Sequence, residues 1–77
     1  MKHVIYARIY HGESQYVAEC LDLPVVTQGK TLDEVTKNLR EAVALQLAGE
    51  DLSQWDLAPN PSLIANFELE PVVNAKT

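Results

Sequence analysis

The sequence predicts a small α+β domain of order β-β-β-α-β. Three observations carry that prediction. Apolar and polar residues alternate with a period of two over Lys2 to Tyr10, Gln15 to Leu21 and Ser62 to Glu70. A capped segment from Thr31 to Gly49 has helical periodicity instead. The links between the first three extended segments are tight, which makes them an antiparallel meander. At 77 residues the chain has room for one domain, 1–77.

The first strand points Ile5, Ala7 and Ile9 one way and Val4, Tyr6, Arg8 and Tyr10 the other. The loop His11-Gly12-Glu13-Ser14 follows, small and polar enough to turn the chain. In the second strand Tyr16, Ala18 and Cys20 share a face, opposite Val17, Glu19 and Leu21. Ala18 and Cys20 belong on the helix-covered side, because Glu19 would be costly to bury there. Pro24 lacks an amide hydrogen and holds Leu23 extended, so Asp22-Leu23-Pro24 bends the chain into a short third strand, Val25 to Gln28.

Thr31-Leu32-Asp33-Glu34 has the form of a capping box. Thr31 can accept from the Glu34 amide, and Glu34 can reach back to the Thr31 amide. Leu32, Val35, Leu39, Ala42, Val43 and Leu47 form one apolar stripe on a helix from about Leu32 to Ala48. Gly49 is placed to close it in a left-handed conformation. Leu45 lies off the stripe. Asp51 to Trp55 fits a single helical turn, and Pro59 and Pro61 speak against regular structure just beyond it. The fourth strand, Ser62 to Glu70, sets Leu63, Ala65, Phe67 and Leu69 against Ile64, Asn66, Glu68 and Glu70. Pro71 stops it, and the last residues read as a frayed tail.

The helix returns the chain along the sheet, so the fourth strand points the same way as the first and third. Pairing with the longer first strand gives order 3-2-1-4; a right-handed crossover beside strand three is the alternative. Either way, one helix covers one face.

Chemistry is sparse. His3 and His11 have no metal-ligand spacing, Cys20 has no C-x-x-C partner, and Ser14, Ser53 and Ser62 lack a nucleophile-elbow context. Glu19 with Asp22, and Glu34 with Glu41, do not converge as a two-metal site requires. No catalytic, metal or cofactor residue is assigned. The net charge of −5 disfavours nucleic acid and anionic membrane and favours a basic partner. No secretory signal or membrane-length apolar run is present, and one unpaired cysteine suits a reducing cytoplasm.

The face away from the helix is more informative. It carries Val4, Tyr6, Arg8 and Tyr10 from the first strand, Val17, Glu19 and Leu21 from the second, and Ile64 from the fourth. Tyrosine, arginine and aliphatic residues mixed in this way have an interface composition. A core this small commonly needs a further stabiliser, and self-association as a dimer or tetramer is the expected one. Face packing and edge pairing both remain open.

Tyr16-Val17-Ala18-Glu19-Cys20-x-Asp22-Leu23-Pro24, then Thr27-Gln28-Gly29-x-Thr31, then Glu34-x-x-x-Asn38-x-x-Glu41-Ala42 resembles the HicB-like antitoxin family. The motif spans about half of the chain. The resemblance implies a truncated, partial ribonuclease-H-like fold without nuclease activity. It also implies oligomerisation and inhibition of a small HicA-type toxin, an mRNA-cleaving ribonuclease. After the fourth strand only Pro71 to Thr77 follow, so no separate DNA-binding domain and no specific operator binding are expected of this chain. A stand-alone oligomeric relative without a toxin is the alternative function, and a metal-dependent nuclease the least favoured.

Overall fold

The computed structural model describes residues 1–73. The elements run β1 (Lys2–His11), β2 (Tyr16–Cys20), β3 (Val26–Gly29), α1 (Leu32–Leu47), a 3-10 turn (Leu52–Trp55) and β4 (Leu57–Phe67). The sheet has four strands in the order β3-β2-β1-β4. β1 pairs antiparallel with β2, β2 antiparallel with β3, and β1 parallel with β4. The α+β class, the element order and the parallel β1–β4 pair are those the sequence predicts.

The core lies between α1 and the helix side of the sheet. Ile5, Ala7 and Ile9 from β1, Ala18 from β2 and Val35, Leu39 and Val43 from α1 are buried, together with Leu23, Val25 and Leu57. Leu52, Trp55 and Leu63 pack against this cluster, so the 3-10 turn helps cover the sheet. The alternation in β1 therefore reports burial on one face, as its pattern requires. Cys20, expected to be buried, is half-buried at the last position of β2.

Several boundaries differ from the sequence reading, each for a local reason. β3 is displaced by one residue, to Val26–Gly29. The Val25 amide bonds to the Leu23 carbonyl at 2.8 Å, which makes Val25 the end of the bend. The helix cap is a capping box shifted by one. Thr31 Oγ1 accepts from the Glu34 amide at 3.0 Å, but the Glu34 carboxylate accepts from the Lys30 amide, not that of Thr31. Leu32, at the edge of the stripe, is partly exposed. The helix ends at Leu47, before a type II turn. Ala48 has φ −63° and ψ 124°, Gly49 has φ +70°, and the Glu50 amide bonds to the Leu47 carbonyl at 3.1 Å.

β4 departs most. It begins at Leu57 and runs through Pro59 and Pro61, ending at Phe67 rather than Glu70. Prolines are admitted because β4 is an edge strand, where an outward amide has no ladder partner to lose. Lys2 is opposite Leu57 and Val4 opposite Ser62, so the register shifts there, and Asn60 takes φ +53° within the bulge. Of the tail expected after Pro71, residues 74–77 lie outside the described residues.

Candidate protein-contact face

The open face of the sheet is built in rows across the strands. Register places Ile64, Tyr6 and Leu21 side by side, the last through the Leu21 amide bond to the Tyr6 carbonyl at 2.9 Å. The next row is Asn66, Arg8, Glu19 and Val26. Tyr10, Val17 and Gln28 form a third, and Val4 lies beside Ser62. All eight residues singled out from the sequence thus share one surface, with Leu21 just beyond the end of β2. Val26 was missed because β3 is too short for its alternation to register. It is 68 % exposed and extends the apolar surface to the far edge.

Tyr6, Leu21 and Ile64 are exposed, at 45 %, 68 % and 43 % respectively. Polar groups cross the centre of this surface. The Arg8 guanidinium carbon lies 4.4 Å from the Tyr10 ring centroid, a cation–π arrangement, and Arg8 Nη1 is 3.9 Å from Glu19 Oε1. Both charges are substantially exposed, so the ion pair orients the side chains more than it stabilises the fold. Apolar area interrupted by an aromatic-supported arginine suits contact with a protein.

Asp22, Gly29 and Asn38 of the motif have architectural roles. Asp22 Oδ2 accepts from the Tyr6 amide at 3.0 Å, at the place where β2 has ended and offers no carbonyl. Its other oxygen bonds Lys2 Nζ at 3.0 Å. These two bonds, the Tyr6 amide first, hold the Asp22 carboxyl below its usual range. Gly29 passes beneath the start of α1, where a Cβ would lie 2.5 Å from the Val35 amide nitrogen. Asn38 Nδ2 donates to the Gln28 carbonyl at 2.8 Å and ties the helix to β3. Burial, then the Asp22 charge, pushes the Cys20 thiol up, so it is a poor nucleophile at neutral pH.

Among the described residues no group of three or more His, Cys, Asp or Glu is placed to hold a metal ion. Nor is any helix long and apolar enough to cross a membrane. A shallow groove of about 330 Å³ lies between β3 and α1, lined by Pro24, Val25, Val26, Ala42, Leu45 and Gln46. Leu45, off the helical stripe, forms part of this wall. The groove lacks the convergent polar groups that orient a small ligand. The chain matches no protein-family model, no curated protein and no solved structure.

Proposed function

We propose that this chain is a HicB-like antitoxin-type binding module, which inhibits a small basic HicA-type toxin by protein–protein contact. The open sheet face is the observation that carries the reading. Its exposed Tyr6, Leu21 and Ile64 form a row beside the Arg8–Glu19 pair in a surface of interface composition. The net charge of −5 favours encounter with a basic partner. The strand order is compatible with a partial ribonuclease-H-like core, and a cytoplasmic location accompanies the same reading.

The test is co-purification of the full chain with a small basic ribonuclease from its native host. Val17→Lys puts a charge on the face, between Tyr10 and Gln28 in its third row. It should abolish capture while far-UV circular dichroism stays that of the unmodified chain. Capture unaffected by Val17→Lys would show that the partner uses another surface. The isolated chain is expected to cleave no RNA with magnesium or manganese. Cleavage that disappears on substitution of Glu19 or Asp22 would establish the nuclease alternative instead. It is also expected to bind no DNA sequence specifically, which a footprint surviving moderate salt would contradict.

A second reading is a self-associating protein without a toxin. The exposed outer edge of β4 favours it, and sedimentation equilibrium at micromolar concentration tests it.

A further inference from the structure

The two free edges of the sheet are unequal. β3 offers four residues, and one of its carbonyls, that of Gln28, is taken by Asn38. β4 has eleven residues and divides into two halves. Its first half contains Pro59, Pro61 and the left-handed Asn60. Prolines and bulges block strand addition. Its second half, Ser62-Leu63-Ile64-Ala65-Asn66-Phe67, has no proline and no charge.

Backbone polarity along this half follows from the register. The Glu68 amide bonds the Ile9 carbonyl at 2.7 Å, so Glu68 and its even-numbered neighbours face β1. The amides and carbonyls of Leu63, Ala65 and Phe67 therefore point outward, away from the sheet. Their side chains are only partly covered: Ala65 and Phe67 are exposed and Leu63 is half-buried. A proline-free, uncharged edge of this kind is a template for another strand.

We propose that two copies of this chain join through β4, antiparallel, on a two-fold axis at Ala65. The inference rests on the self-association reading above and is independent of the toxin. Antiparallel pairing of an edge with its own copy is self-complementary and closes after two chains. In this register Ala65 meets Ala65 and Leu63 meets Phe67, each pair exchanging outward amides and carbonyls. The small Ala65 pair leaves room beside it for Phe67 against Leu63. Glu68 meets Ser62, so the acids do not oppose one another. Leu69, 72 % exposed, meets Pro61, whose carbonyl can still accept. Centring on Leu63 instead would put Pro61, which has no amide hydrogen, opposite Ala65. The two four-stranded sheets become one continuous sheet, with both open faces on the same side and free for a partner.

The test uses Ala65→Glu and Ala65→Lys in the full chain, read by sedimentation equilibrium. Ala65 is exposed, so both variants should keep the far-UV spectrum of the folded chain. The unmodified chain should be a dimer at micromolar concentration, the weak end of the range that specific interfaces reach. Each variant alone puts like charges on the axis and should weaken the dimer by about tenfold or more. An equimolar mixture of the two should recover it, because residue 65 faces residue 65. A monomeric unmodified chain overturns both the edge and self-association. A dimer indifferent to residue 65 but broken by Val17→Lys keeps self-association and overturns the edge. A mixture that stays monomeric overturns the axis at Ala65.

Discussion

Gly29→Ala is the sharpest test of how the helix is seated. The glycine is not in a left-handed conformation, so the effect is one of space alone. An added Cβ would lie 2.5 Å from the Val35 nitrogen, 2.8 Å from its Cα and 3.0 Å from the Glu34 carbonyl carbon. These are backbone atoms of the first helical turn and cannot rotate away. Restoring ordinary contact from 3.4 Å moves the start of α1 outward by about 0.9 Å. A gap of that size forfeits roughly a quarter to a half of the contact attraction across it. Val35, Leu39 and Val43 are the buried helix residues, each worth about 1.5–3 kcal/mol when fully packed. The expected loss is therefore roughly 1.5–3 kcal/mol, in line with the usual cost of overpacking.

Gly49→Ala is the matched control. Its φ is +70° with nothing within 4 Å, so only backbone strain opposes the change. That strain, about 1–2 kcal/mol, is partly offset by the smaller entropy of unfolded alanine, leaving about 1 kcal/mol or less. Urea unfolding followed by far-UV circular dichroism at one fixed protein concentration compares the two. The thermal midpoint of Gly29→Ala should fall by about 6–24 °C. A Gly29→Ala variant as stable as Gly49→Ala would refute the close approach of α1 to β3.

Asp22→Asn should cost about 1 kcal/mol at pH 7, because Lys2 is half exposed and solvent screens that bond. The folded carboxyl titrates below the unfolded value of 3.8, so its stabilisation is full above that pH and is lost as pH falls through the folded value. The difference between the two proteins in urea should accordingly shrink from pH 7 towards pH 2, and a gap constant with pH would contradict the carboxylate's role. Thr31→Ala removes the oxygen that accepts from the Glu34 amide and should cost about 1 kcal/mol, whereas Thr31→Ser should cost little; equal losses in denaturant titrations would show that the cap is not what stabilises the helix start. Asn38→Ala leaves the Gln28 carbonyl without its side-chain donor, and hydrogen exchange should rise in β3 before it rises in β1.

The strands and helix were legible in the sequence because their burial is periodic. Ile5, Ala7 and Ile9 sink on one face at period two, and Val35, Leu39 and Val43 sink at helical spacing. The shared placement of eight residues on the open face followed from the same alternation, since strand parity assigns a face without any tertiary information. Cap chemistry was legible as type but not always as register. Glu34 bonds Lys30 and not Thr31, because a one-residue shift in such a motif leaves the local composition unchanged, whereas Gly49 takes the left-handed conformation expected of it directly after the cap residue Ala48.

The extent of β4 could not be read locally. Pro59 and Pro61 argue against a strand wherever both sides must pair, and only its position at the edge of the sheet makes them harmless. The Gly29 contact was likewise tertiary, since it depends on where the helix returns the chain, whereas β1 as the parallel partner followed from the greater length of the first strand. Residue pattern alone determined which face each side chain takes. Three-dimensional neighbours decided which amides and carbonyls are left over at an edge, because hydrogen-bond direction alternates along a strand and is spent only by the strand beside it.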